Sequence, residues 1–180
     1  MSPPPFLVNV AGLRRTPGAR RSEQRRGPID GLQVTSTHVP AGADVEADLI
    51  LEVIDGGMVA IGTVSAPWVG ECRRCLKPVE GVLRVELREI YEPRPAGPAG
   101  TEAELEEETY PLTGDTLDLR PLARDAVLLN LPQAPLCRPD CAGLCPTCGA
   151  DLNVAPCGCP PVATDVRWAA LDVLRPTETS

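Results

Sequence analysis

The spacing of the cysteines limits what this chain can fold into more than any other feature. Six of the eight, Cys137, Cys141, Cys145, Cys148, Cys157 and Cys159, fall within one short stretch, and the other two form the separate pair Cys72-Arg73-Arg74-Cys75. Cysteines two to four residues apart suit a tetrahedral metal site, because a tight turn can aim both sulfurs at one ion. The best formed of these turns is Cys145-Pro146-Thr147-Cys148-Gly149. Proline presets φ for a turn, and glycine can take positive φ, which lets backbone N–H groups point at the thiolates. The pattern reads as a zinc knuckle.

Three other chemistries use such spacings. Disulfides suit a secreted chain, but Met1-Ser2-Pro3-Pro4-Pro5 shows no basic stretch followed by a long apolar run, so the expectation is a reducing compartment. Cys141, Cys145 and Cys148 match the bare three-cysteine pattern of radical enzymes with an iron–sulfur cluster, yet those need a large α/β barrel after the motif. A redox dithiol at Cys72 and Cys75, with thiol pKa values lowered by Arg73 and Arg74, lacks a surrounding βαβ pattern.

Eight cysteines divide into two sets of four. Cys145, Cys148, Cys157 and Cys159 can close locally, since eight residues between the pairs allow a turn and a return. Cys72 and Cys75 then join Cys137 and Cys141 across roughly sixty residues, a closure that the binding free energy of a structural zinc can outweigh. The competing partition groups Cys137, Cys141, Cys145 and Cys148 and sends Cys157 and Cys159 to the distant pair. In either case four thiolates leave no open position for water or substrate, so up to two structural zinc ions are expected and catalysis is not.

The rest of the composition agrees with a stapled fold. Five aromatic residues and 21 prolines leave a core of Val, Leu, Ile and Ala, and no apolar run approaches the length of a membrane span. A cytoplasmic protein is expected. The formal charge of −8 would reach about −12 with two zinc ions on eight thiolates. A body that acidic repels phosphates, so any RNA contact must be local.

The local candidate is N-terminal. After a short strand at Phe6 to Val10 come Arg14, Arg15, Arg20, Arg21, Arg25 and Arg26, with Glu23 the only acid among them. Turn residues at Thr16 to Ala19 and at Gly27-Pro28 suggest a flexible arm over 1–31, free either to follow a phosphate backbone or to fold onto the protein's own acids. Arg73, Arg74 and Lys77 could add phosphate contacts. From 32 to 91 the pattern is an antiparallel β meander. Val45, Ala47, Leu49, Leu51 and Val53 alternate with acids, Ile50 implies partial cover on the second face, and Asp55-Gly56-Gly57 supplies a hairpin. Trp68 reads as core cover and His38 as an ordinary strand residue. An acidic linker spans 92–109. Asp118 can cap a helix within 110–136 that buries Leu119, Leu122, Ala126 and Leu129, and Pro132 and Pro135 end it. The segment 137–175 holds the cysteines and a last helix from Thr164 or Asp165 to Leu174, stopped by Pro176. The expected class is α+β, a β meander with two packed helices and a cysteine-rich zinc-binding segment. No phosphate-binding loop, paired acids or nucleophile motif suggests an enzyme.

In order, the Cys72 to Cys75 turn, the β run to Tyr91, the acidic linker, the helix leading to Cys137, the run Gly143-Leu144-Cys145 through Cys148-Gly149-Ala150-Asp151-Leu152-Asn153, the pair Cys157 and Cys159, and Asp165 through Leu174 resemble the YceD-like family of large ribosomal RNA subunit accumulation proteins. Val166 stands where proline would be expected. The resemblance covers most of 30 to 175. It implies a bacterial or organellar factor for accumulation or processing of 23S ribosomal RNA, with the eight cysteines as metal ligands and no catalytic residue. Its partners would be 23S rRNA or its precursor, or large-subunit ribosomal proteins and assembly factors. The alternative is a protein adaptor that touches RNA little; a zinc or dithiol enzyme is a third reading.

Overall fold

The computed structural model describes residues 4–93 and 109–160, together with 167 and 171. The expected acidic run and last helix lie outside these residues, apart from Arg167 and Leu171. The architecture is mostly strand: β1 (Leu7–Asn9), β2 (Arg20–Pro28), β3 (Thr37–His38), β4 (Asp44–Ile54), β5 (Gly57–Glu71), β6 (Pro78–Pro93), β7 (Tyr110–Thr113) and β8 (Thr116–Asp118), with one α-helix, α1 (Arg120–Asn130). One sheet runs β1-β8-β7-β6-β5-β4-β2, and β3 adds to β5. The sheet curls into a half-barrel, and α1 is the only α-helix among the described residues, which corrects the expected α+β class with two packed helices. Within the sheet β4, β5 and β6 form the antiparallel meander expected over 32–91, and beyond that range β7 joins β6 in parallel at Tyr91–Pro93. No helix among the described residues is long and apolar enough to cross a membrane.

The curl follows from strand length and one glycine. β5 has 15 residues and β6 has 16, and strands this long accumulate twist and coil. At its middle, Gly62 lies between Leu49 of β4 and Leu87 of β6 with φ +152°, and glycine kinks of this kind bend sheets. The concave face collects Val45, Ala47, Leu49 and Leu51 from β4, Phe6 and Val8 from the N-terminus, Tyr91, Leu112 and Leu117, under Leu122, Ala123 and Val127 of α1. The alternation read in β4 holds, except that Ile50 is 46% exposed rather than covered. The Asp55-Gly56 hairpin forms as expected, with Ile54 opposite Gly57 and Gly56 at φ +79°. Trp68 packs against the core. Asp118 accepts a 2.9 Å hydrogen bond from the Arg120 N–H at the start of α1. The helix is rotated from the expected setting: Val127 is buried, whereas Leu129 is 83% exposed.

The larger correction concerns the arm. Residues 20–28 form β2, paired in register with β4 from Arg20 opposite Glu52 to Pro28 opposite Asp44. Alternation is present in a form that carries no apolar signal: Arg21, Glu23, Arg25 and Gly27 share the inward side, and Glu23 is only 9% exposed. Arg21 Nε lies 2.6 Å from Glu23 Oε1, and an Arg25 terminal nitrogen lies 2.7 Å from Oε2. Arg21 also donates to the Asn9 carbonyl at 2.8 Å, and Gly27 lies against Pro5 and Phe6. The two ends of the sheet therefore meet through side chains. Glu23→Ala leaves two guanidinium groups facing each other without a counter-charge and is expected to cost about 2 kcal/mol, read as a lower urea midpoint with unchanged slope. A cost below half of that would show that the trio is solvated and incidental.

Candidate metal centres

The pairs Cys72/Cys75 and Cys145/Cys148 sit on turns built the same way. In the β5–β6 connection the Cys72 N–H donates to the Lys77 carbonyl at 2.8 Å, and the Leu76 N–H donates to the Cys72 carbonyl at 2.9 Å. In the second turn the Cys145 N–H donates to Ala150 at 2.8 Å, and the Gly149 N–H donates to Cys145 at 2.9 Å. Gly149 has φ +72°, as its sequence position suggested, and Leu76 holds the matching place at φ +59°. A leucine rarely adopts this region. It does so here because the turn must expose its N–H groups to sulfur.

The sulfurs of Cys72, Cys75, Cys137 and Cys141 lie within 4.8 Å of one another, and so do those of Cys145, Cys148, Cys157 and Cys159. These are the sets of the first partition. The separations of 3.8 Å for Cys72 to Cys141 and 3.6 Å for Cys75 to Cys137 are far beyond a disulfide bond. They match the edge of about 3.8 Å of a tetrahedron with metal–sulfur bonds of about 2.3 Å. The donor sets therefore fit a four-coordinate thiophilic ion. Cys72 and Cys141 are fully buried, and with Val79 and Leu144 they form a small cluster separate from the main core.

Backbone dipoles prepare each site for negative charge. Burial pushes the Cys72 thiol up, but the N–H groups of Cys137, Cys75 and Arg74 outweigh it and bring it down to about 6. The N–H groups of Cys148 and Thr147 bring Cys145 down to about 6. Their neighbours move the other way, because thiolates this close cannot all ionise. Desolvation and the thiols of Cys75, Cys141 and Cys72 push Cys137 up to about 12. Cys148, desolvation and Cys145 push Cys159 up to about 12. At Cys75 the Lys77 N–H pulls down, but desolvation and the Cys72 thiol leave the thiol raised; at Cys157 the Cys159 N–H is outweighed in the same way by Cys145 and burial. These raised groups hold their protons at pH 7 and must surrender them to a metal. Metal uptake should release at least about two protons per centre, and affinity should fall as pH falls. Calorimetry in buffers of different ionisation heat checks this; uptake without proton release would contradict the arrangement.

The two centres are fastened to each other. The Leu144 N–H donates to the Arg74 carbonyl at 3.1 Å, Arg74 donates to the Cys141 carbonyl at 2.8 Å, and Lys77 Nζ lies 2.7 Å from Asp151. Lys77 and the Asn153 N–H together hold the Asp151 carboxyl down to about 2. Asn153 gathers the rest: its Oδ1 accepts from the Ala142 N–H and from Arg138, both at 2.8 Å, while Nδ2 reaches Cys141 Sγ at 3.5 Å. Sequence reasoning missed Asp151 and Asn153 as supports, although both lie in the run that carried the family resemblance. The signal available was a polar pair directly after a knuckle. From the main sheet the Arg73 N–H donates to Pro135 at 2.9 Å, and Thr37 donates to Pro132 at 2.9 Å, so the chain leaving α1 is pinned where it enters the first centre.

Most of the residues suggested for RNA contact are paired within the protein. Arg14 bonds the Gly114 carbonyl beside Asp115, Arg20 lies 3.0 Å from Glu52, and Arg21 and Arg25 share Glu23. Arg26 reaches Asp44 and Glu46, the Arg74 side chain bonds the Cys141 carbonyl within the first centre, and Lys77 reaches Asp151 beside the second. Only Arg15 and Arg73 have no side-chain partner among the described residues. The basic segment thus folds onto the protein's own acids, which was one of the two expected outcomes.

Comparison with known proteins agrees with this layout. The family model described as "Large ribosomal RNA subunit accumulation protein YceD" matches residues 60–175, a span that holds all eight cysteines. An uncharacterized protein of Mycobacterium tuberculosis is 41% identical over 171 residues, 93% of this chain and 80% of its own length. An uncharacterized protein of Mycobacterium leprae is 37% identical over 175 residues, 96% of this chain and 79% of its own. No solved structure matches the chain. By the family model, which matches more than half of its length, the chain belongs to the YceD family of large ribosomal RNA subunit accumulation proteins.

Proposed function

We propose that this chain is a non-enzymatic cytoplasmic factor for accumulation and processing of 23S rRNA, which engages a large-subunit assembly intermediate chiefly through protein, with structural zinc at both centres. Family membership supports the pathway. The observation that favours protein over RNA as the direct contact is the internal pairing of the candidate cations: five of the six in the basic segment, and Arg74 and Lys77 outside it, already serve the fold, on a chain of formal charge −8. Most ribosomal proteins are basic and complement such a surface. Closed four-sulfur sites offer no position to a substrate, which supports a structural metal.

Purified untagged from its host without nuclease, the protein should carry about two zinc ions per chain and large-subunit ribosomal proteins or assembly factors that remain bound after nuclease treatment. Loss of every partner on nuclease treatment would overturn the adaptor reading in favour of direct rRNA binding. Changing Arg14, Arg15, Arg20, Arg21, Arg25 and Arg26 to glutamine should lower stability yet leave the salt dependence of any binding to precursor rRNA within about one unit of slope. A slope flattened by several units would restore the segment as an RNA contact.

A further inference from the structure

The longest unpaired backbone edge among the described residues belongs to β6. Its inner partner β5 covers it from Pro78 opposite Glu71 to Tyr91 opposite Met58. On the other side β7 meets it only at Tyr91–Pro93, and among the described residues no backbone hydrogen bond outside the sheet reaches residues 79–90. In an antiparallel pair every second residue turns its N–H and C=O outward, so this stretch presents a row of donors and acceptors that no described residue pairs. Such an edge is a template for another strand.

Beside the edge lies a groove of about 300 Å³ between β6 and α1. Its apolar lining comes from Val85 and Leu87 on the strand and from Leu122, Ala126 and Leu129 on the helix. Leu129, 83% exposed, is the side chain that departs from the expected helix setting. The rim is acidic: Glu86, Glu89 and Asp125 outnumber Arg88. Asp125 accepts from the Tyr110 hydroxyl at 2.9 Å, which fixes its position at one end.

We propose that the β6 edge over residues 79–90, together with the groove against α1, docks an extended basic segment of a partner protein by strand addition. Main-chain bonds to β6 supply affinity, alternate apolar side chains of the guest meet Leu129 and Ala126 on the α1 side, and its intervening cations, on the other face of the strand, meet the exposed Glu80 and Glu86. This rests on the adaptor reading and names the surface that the adaptor uses.

The test uses the purified full chain with a synthetic peptide of alternating lysine and valine, and an otherwise identical peptide of alternating glutamate and valine. In the free protein, amides of every second residue between 79 and 90 should exchange rapidly with solvent; the lysine peptide should slow those amides by at least about tenfold. It should bind at least about tenfold more tightly than the glutamate peptide, and Leu129→Glu, at an exposed position, should weaken it by a similar factor without shifting the unfolding midpoint. Equal binding of both peptides, or protection outside this stretch, overturns the proposal. If those amides are already protected in the free monomer, the chain itself covers the edge; if they are protected only in a dimer, a second copy does. Either result also overturns it. Because the experiment contains no ribosomal component, it succeeds or fails independently of the co-purification that tests the function.

Discussion

Cys141→Ser is expected to leave one metal ion per chain instead of two and to weaken metal binding at the first centre by at least about a hundredfold. A complete four-sulfur site in a small domain contributes on the order of 10 kcal/mol or more, and one thiolate carries a substantial part of it. Cys141 is the ligand with the most support: buried, reached by the Asn153 amide at 3.5 Å and fixed through its carbonyl by Arg74. Loss of its sulfur removes the centre without touching the main core, because the main apolar cluster contains no cysteine. Chelation of both ions should therefore abolish protease resistance over 137–159 while the far-ultraviolet β signal and the exchange protection of β4 persist. Two ions retained by the serine variant would mean that the first centre does not bind as a set of four. Collapse of the whole sheet on chelation would mean that the two parts are not separable.

Gly62→Ala should be the most damaging of the small substitutions. A Cβ there would run into the Asp48 carbonyl oxygen and lie 2.9 Å from Leu49 Cα. Both obstacles are backbone of the neighbouring strand, so no side-chain rotation relieves the clash. Adding strain at φ +152°, we expect a loss of about 3–5 kcal/mol, a large share of the stability of a domain of this size. Gly42→Ala provides the control, since it has φ +75° but nothing within 4 Å. It should cost only the conformational term of about 1 kcal/mol. Equal urea midpoints for the two variants would show that the strand gives way at Gly62 and that the glycine is not what shapes the curl.

The parts legible in the sequence were those whose signal is local and chemical. Cysteine spacing gave both knuckles, and the loop between Cys148 and Cys157 favoured the sets found, because a site closed over few residues needs no knowledge of the fold. β4 was legible because its inner face is apolar and its outer face acidic. β2 was not, since its inward residues are Arg21, Glu23 and Arg25, and an ion-paired inner face reads as a solvated one. The parallel pairing of Tyr91 with Tyr110 depends on where the chain returns after residue 93, which periodicity does not encode. Leu129 was assigned to the core by its spacing from Leu119, yet the helix turns Val127 inward instead. The lattice around Asn153 escaped because nothing in a lone Asp-Leu-Asn indicates which sulfur its amide will meet.

The first centre joins Cys75 to Cys137 across 62 positions, and Cys72 to Cys141 across 69. During synthesis, at about 5–20 residues per second, the hairpin that carries Cys72 and Cys75 leaves the exit tunnel some seconds ahead of its second pair. For that interval the nascent chain holds two thiols on a preformed turn with half a coordination shell. It must capture an ion weakly, or wait without one, until α1 has been made. The second centre spans only Cys145 to Cys159 and can close as soon as it emerges. Translation order thus delivers the local site after the long one but completes it fastest, and the long staple tightens only when Cys141 follows Cys72 out, 69 positions later.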